Sequence, residues 1–126
     1  MKGFRGFRVW SNYRKKYASE AELHMDGSVD AIFEDDGVLH HENTDVVVEQ
    51  YTMLRDKNGK EIYEGDIVSY DYGFGTYVVT YRRYDASFVL EDDDREEILN
   101  LVLSGHPFYK VIGNVHENPE LLEEEG

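Results

Sequence analysis

Cysteine is absent from this 126-residue sequence, which excludes a disulfide framework, a thiolate nucleophile and any zinc site built on cysteine. Long apolar runs are absent too, and nothing approaches the roughly 20 residues that a membrane-spanning helix requires. The first ten residues, MKGFRGFRVW, are basic but lack the apolar core and small-residue cleavage site of a signal peptide. Positive charge is scarce: 13 Lys and Arg stand against 27 Asp and Glu, a net charge of −14. Non-specific nucleic-acid binding needs clustered cations that displace counterions from phosphates, so that class is set aside. The expectation is a cytoplasmic protein with no membrane association. Only two prolines occur, and no Pro- or Gly-rich linker divides the chain. One domain is therefore expected over residues 1–122, with a frayed acidic tail at 123–126. A hydrophobic content of 40%, with 13% aromatic residues, suffices for a core.

The few cations are concentrated. Lys2, Arg5, Arg8, Arg14, Lys15 and Lys16 fall in the first 16 residues, which hold no acid, so 7 of the 13 cations and all 27 acids lie beyond. Acid is densest at Glu91, Asp92, Asp93 and Asp94, then Glu96 and Glu97, and again in the tail at Glu123, Glu124 and Glu125. Such clusters keep a small protein soluble. They also suit a basic partner, because complementary charge speeds encounter and suppresses wrong partners. The basic N-terminal segment can equally pack on the chain's own acidic body, an internal contact without functional content.

Runs of β-branched and aromatic residues, separated by turn signals, predict an all-β fold. The expected form is a small barrel or pseudo-barrel of short antiparallel strands with at most one short helix. The first strand is expected over Phe4–Trp10. Ser19 with Glu22 three positions on has the spacing of a capped helical turn. Val29, Ala31 and Phe33 alternate with polar neighbours, apart from Ile32, and Asp35-Asp36-Gly37 signals a turn to a returning strand, Val38–His41. Asp45–Tyr51 reads as a strand, Asn58-Gly59 as a tight turn and Gly65-Asp66 as a bend. Ile67–Tyr70, Thr76–Tyr81, Ser87–Leu90 and Tyr109–Val115 follow as strands. Over Arg95–Leu103, Ile98, Leu101 and Val102 have helical spacing, while the β-branched content leaves a strand open. Asn118-Pro119 resembles a helix cap followed by proline at the first helical position.

No nucleophile motif, phosphate loop or metal-binding helix motif is present. Gly73-Phe74-Gly75 lacks the third glycine, the lysine and the following helix of a phosphate loop, and reads as a hairpin turn. His40 and His41 are adjacent, so on a strand they face opposite sides and cannot share one metal ion. His24, with Asp26 nearby, could join one of them only if the fold brought them together. His106 and His116 read as surface or packing residues. No metal or other cofactor is expected. The ten tyrosines are unusual. Tyr70, Tyr72, Tyr77, Tyr81 and Tyr84 crowd one hairpin, where they could pack a small core or supply a protein interface.

Three segments resemble the YopX family of small phage and prophage proteins of Gram-positive bacteria. They are Phe7-Arg-Val-Trp10, similar to the family's opening Phe-Arg-Ala-Trp; Gln50–Val68, QYTMLRDKNGKEIYEGDIV; and Val111–Leu122, VIGNVHENPELL. The motif residues are Trp10, Asn58, Gly59, Gly65, Asp66, Gly113, Asn114, Asn118 and Pro119. Met53 stands where a glycine is usual and His116 where an aromatic residue is common; residues 11–49 match only loosely. The resemblance implies an all-β fold and a phage or prophage origin, and it brings no catalytic residues.

Together these readings point to a non-enzymatic phage accessory protein that binds an unidentified host or phage protein. Asp92, Asp93, Asp94, Glu96, Glu97, Tyr70, Tyr72 and Tyr77 are its candidate contacts. The alternative is an acidic nucleic-acid mimic that blocks a host enzyme, in the manner of anti-restriction or anti-CRISPR proteins, through the same five carboxylates. A third reading is single-stranded nucleic-acid binding through Lys2–Lys16, with Trp10, Tyr13 and Tyr17 stacking on bases. A homo-oligomer is also expected, with strands 67–84 or 4–10 at the contact.

Overall fold

The computed structural model describes residues 6–70, 76–92, 97–100 and 108–122, with backbone alone at 97–100. The chain divides into two compact units, residues 1–50 and 51–126. The division falls inside a strand, not in a linker.

The first unit contains β1 (Phe7–Ser11), β2 (Lys16–Tyr17), β3 (Glu20–Leu23), β4 (Val29–Asp35), β5 (Val38–Glu42) and the start of β6 (Val46–Arg55). Strand β1 lies between β2 and β6, antiparallel to both, with Trp10 opposite Tyr17 and Val47. Strands β3, β4 and β5 form a separate antiparallel sheet in that order. The alternation seen in the sequence is the alternation of faces: Val29, Ala31 and Phe33 are buried and pack with Val9 and Ala18. The capped turn expected at Ser19–Glu22 is instead β3. Glu20-Ala21-Glu22-Leu23 alternates with period 2 and pairs residue for residue with Ile32 to Val29. Asp36 and Gly37 form the expected two-residue turn, since Asp35 pairs directly with Val38.

The second unit contains the rest of β6, β7 (Glu61–Tyr63), β8 (Asp66–Tyr70), β9 (Thr76–Arg82), β10 (Ser87–Glu91), β11 (Glu97–Asn100), β12 (Tyr109–Asn114) and a 3-10 turn, Pro119–Leu122. Five of its strands form one antiparallel sheet, ordered β11-β10-β9-β8-β12. Its core is Ile62, Val68, Val79, Leu90, Tyr109 and Val111. The helical spacing in Arg95–Leu103 does not prevail where the structure describes that stretch: residues 97–100 are β11, paired to β10 through Leu90–Leu99. A neighbouring strand with free backbone groups satisfies more hydrogen bonds than one isolated helical turn. Among the described residues every strand pairing is antiparallel, and the all-β expectation stands.

The turn and bend motifs at 56–66 and 113–119 are local devices of this second unit. Asp56 is 6% exposed, and its Oδ1 accepts the N–H groups of Asn58 (2.8 Å) and Lys60 (2.9 Å). Its Oδ2 accepts the N–H of Val111 in β12 at 2.9 Å. Gly59 closes the same turn at φ +83°, a conformation that side chains resist. At the bend, Asp66 Oδ2 accepts the N–H of Tyr63 at 2.7 Å, while Gly65 donates to the Val79 carbonyl and accepts from Val115. Beyond β12, Asn118 Oδ1 accepts the N–H of Asn114 (3.2 Å), and Asn114 Oδ1 accepts those of His116 (3.1 Å) and Glu117 (2.9 Å). Asn118 therefore ties the turn back to β12, and its carbonyl accepts from Leu121. Thr76 Oγ1 donates to the Leu121 carbonyl at 3.2 Å, which anchors the 3-10 turn on β9.

Two predictions follow from these contacts. Burial alone would raise the Asp56 carboxyl, but the N–H groups of Val111, Lys60 and Asn58 outweigh it and hold it below the usual carboxylate range. Asp56→Asn keeps the shape yet turns an amide N–H towards that of Val111, and should cost about 2–3 kcal/mol in urea unfolding at neutral pH. Because the folded pKa is depressed, the stabilisation is complete above about pH 4 and is lost as pH falls through the lowered folded value. The acid-side loss of stability should therefore be shallower in Asp56→Asn than in the parent. Separately, a Cβ at Gly113 would lie 2.6 Å from Asn118 Oδ1 and 2.9 Å from Asn118 Cβ. Gly113→Ala should destabilise by about 1–3 kcal/mol, and Asn118→Gly should relieve part of that loss in the double variant, measured by thermal melts.

Candidate interaction surface

The basic segment finds its counter-charges inside the first unit. Arg8 and Glu49 are cross-strand partners on β1 and β6, and Arg8 Nε donates to Glu49 Oε1 at 2.8 Å. The Tyr17 hydroxyl donates to the same oxygen at 2.9 Å, and the Arg8 guanidinium lies over the Tyr17 ring, 4.6 Å from its centroid. Glu49 is only 4% exposed, so this is a buried carboxylate fully engaged by an arginine and a phenol. Arg14 forms a second cluster, with Nε to Glu42 Oε1 at 2.5 Å and Nη1 to Asp35 Oδ2 at 2.8 Å. The ammonium of Lys16 also donates to Asp35, and that hydrogen bond leads the causes that lower the Asp35 carboxyl from its ordinary value.

With these cations internally paired, one face of the β3-β4-β5 sheet is strongly acidic. Residues directly opposite across antiparallel strands share a face. Glu20, Ile32 and His41 form one row, Glu22 and Asp30 a second, and Glu34 and Leu39 a third. Val29, Ala31 and Phe33 point to the core, so these rows face away from it. Glu20, Glu22 and Glu34 are exposed, and the only basic group in the rows, His41, meets Asp30 at 3.2 Å. Sequence reasoning missed this face because Ser19–Glu22 carries a capping pattern; the period-2 alternation in Glu20-Ala21-Glu22-Leu23 was the available signal.

The sequence-derived contacts are placed unevenly. Asp93, Asp94, Glu96 and Tyr72 lie outside the described residues, as do the side chain of Glu97, the Gly73–Gly75 turn, His106 and the 123–126 tail. Asp92 follows β10 and is half-buried. Tyr70 and Tyr77 are half-buried and pack on the core of the second unit, and the Tyr70 ring lies 4.9 Å from that of Tyr109. Tyr81 packs similarly on Phe88, at 5.2 Å. Tyr84 is the exposed one, at 81%, on the β9–β10 turn beneath the Arg82 guanidinium. In that turn Arg82, with help from Ser87, holds the Asp85 carboxyl down to about 2. Trp10 is 4% exposed and packs edge-on against Tyr17, so neither ring is presented for base stacking. Among the described residues no three His, Asp or Glu side chains are gathered as metal ligands would be, and no helix is long and apolar enough to cross a membrane.

The Arg8–Glu49 pair generates a thermodynamic prediction. Arg8→Leu takes the arginine away from a buried carboxylate that keeps the Tyr17 hydroxyl and should cost about 3 kcal/mol, whereas Arg8→Leu with Glu49→Leu should recover most of that loss. A double-mutant cycle in guanidinium measures the coupling.

Comparison with known proteins adds kinship to this geometry. The crystal structure of protein EF1440 from Enterococcus faecalis is similar at 29% sequence identity and a TM-score of 0.64, covering 97% of this chain and 100% of that one. Protein yopX from Bacillus subtilis shares the fold at 21% identity and a TM-score of 0.60, with 96% and 98% of the two chains covered. No curated protein matches the chain. A family model described as YopX protein matches residues 6–123, a span that takes in all three motif segments and the turns and clamps they build. The chain belongs to the YopX family.

Proposed function

We propose that this protein is a phage or prophage accessory factor of the bacterial cytoplasm that acts by binding a basic surface of another protein, without catalysis. The observation that carries the reading is the pairing of Arg8, Arg14 and Lys16 with Glu49, Asp35 and Glu42. It engages three cations of the N-terminal segment internally, leaves Lys15 exposed, and leaves Glu20, Glu22 and Glu34 displayed together on one sheet face. A displayed patch of one sign steers a partner of the other sign and raises the rate of encounter. The motif residues, by contrast, are occupied in turns and clamps, so they support the fold. Contacts particular to this protein then fall in the loosely matching stretch 11–49, which contains the acidic face.

A second reading, a nucleic-acid mimic, is favoured by the regular placement of those acids. Side chains two apart on one strand face stand about 6.6 Å from each other, an ordered row of negative charge for an arginine-lined channel. Of the three rings considered for base stacking, Trp10 is buried and Tyr17 engaged, and Tyr13 alone is exposed, at 76%.

The test is affinity purification from phage-infected host cells with the parent and with Glu20→Lys/Glu22→Lys/Glu34→Lys, whose exposed positions leave the core untouched. A specific partner retained by the parent, released by salt and lost from the triple variant is the expected result. Recovery of a host nuclease, with its inhibition abolished in the variant, would select the mimic reading. Absence of any specific partner at native expression would overturn both.

A further inference from the structure

The three-stranded β3-β4-β5 sheet of the first unit ends in two strands, β3 and β5. A strand at a sheet edge offers a row of N–H and C=O groups to any further strand, and proteins blunt such edges with charge, proline or bulges. Strand β3 is blunted by Glu20 and Glu22, both exposed. Strand β5 is not. Its sequence, Val38-Leu-His-His-Glu42, holds no lysine or proline, and its register with β4 runs without a bulge. Val38 is 54% and Leu39 61% exposed. Its one acid, Glu42, is held by Arg14. Among the described residues β5 pairs with β4 and with no other strand.

We propose that β5 is a self-association edge, at which two copies of the chain pair antiparallel through Val38–Glu42 about a two-fold axis at His40. Charge selects a second copy as the occupant. Each copy carries −14, so a contact between copies must exclude uncompensated acids, and the β5 edge strand meets that condition. A basic heterologous strand would instead find its complement on β3 or on the acidic sheet face. Side-chain direction selects the register. Directly opposite residues must share a face, which requires pairing centred on a residue, and only centring on His40 pairs the whole of β5. Leu39 then faces His41 of the second copy, and Val38 faces Glu42. The pairing is isologous and closes after two copies. The Tyr-rich strands β8 and β9 each lie inside their sheet with a strand on both sides, whereas β1 is paired along its length with β6 and with β2 at Trp10 and Ser11, which leaves it a shorter open edge than β5. The inference goes beyond the binding role proposed above, since it requires no other protein.

The chain has no cysteine, so single cysteines report the register directly. His40→Cys should give a covalent dimer on oxidation, because its counterpart lies opposite, within disulfide reach. Leu39→Cys should not, because its counterpart faces residue 41. Circular dichroism checks that each variant folds. In light scattering of the full chain, the parent mass should rise towards twice the monomer between micromolar and millimolar concentration. Added salt should promote association, because the copies repel. Leu39→Lys, at an exposed position, should weaken association by about tenfold or more, while Glu22→Lys on the opposite edge should leave it in place. A monomer at every concentration and salt overturns the proposal. So does a dimer indifferent to Leu39→Lys, or equal crosslinking by the two cysteine variants.

Discussion

One carboxylate ties the first turn of the second unit to its last strand. Asp56 ends β6, shapes the turn to β7 through Asn58 and Lys60, and reaches 55 positions along the chain to the N–H of Val111. A cysteine-free chain has no covalent way to close so long a loop, and loop-closure entropy must be met by native contacts. An ionised carboxylate suits the task because it accepts several N–H groups at once, and bonds of that kind are stronger than neutral ones. The adjacent bond from Lys57 N–H to the Tyr109 carbonyl, at 2.9 Å, fixes the same junction from the other direction. With β12 held there, Tyr109 and Val111 deliver their side chains to the core beside Ile62 and Val68. Local turn, long-range closure and core packing therefore hang on the same two oxygens.

The first unit resolves the opposite problem, the placement of cations in an acidic protein. Read as a line, Arg8, Arg14 and Lys16 form a basic arm. In the fold, strand pairing sets Arg8 against Glu49, and Arg14 lies over the Phe33 ring with Asp35 and Glu42 as its partners while Lys16 shares Asp35. The arm is an internal clamp. That change of role alters the functional argument more than any single side chain, because it converts a chain of segregated charges into a surface with one dominant sign.

Turns were the most legible part of the sequence because they depend on few residues. Asp36-Gly37, Asn58-Gly59 and Gly65-Asp66 form where residue type dictates, since Asp36, Gly37, Gly59 and Gly65 all take positive φ. Strands β4 and β6 were legible from alternation and β-branched density. Strands β3 and β11 were not, since Ser19–Glu22 and Ile98–Val102 each match a helical pattern of a few residues, and a neighbouring edge decided the outcome. The acidic face was hidden for a related reason. Glu20, Glu22, Asp30 and Glu34 are spread over two strands and become one surface only through the register of β3 on β4. Tyr70 and Tyr77 show the converse: their abundance left core packing and an interface equally open, and the fold packs both against the core while leaving them partly exposed.

Met53 shows where the fold leaves room for something else. It sits within β6 at φ +70°, where the register with β7 shifts between Tyr51 and Arg55, and its side chain is 75% exposed. The left-handed conformation costs an L-residue about 1–2 kcal/mol, and no burial of the methionine repays it. The flanks impose the bulge: Thr52 Oγ1 donates to the Ile62 carbonyl at 2.7 Å and accepts the N–H of Leu54 at 3.1 Å. Glycine, which the YopX pattern favours here, would fit without strain. A side chain that is apolar, exposed and conformationally costly stabilises neither the strand nor the core. Its presence is consistent with a protein whose fold is set by the motif turns and whose particular contacts are carried by positions the fold does not need.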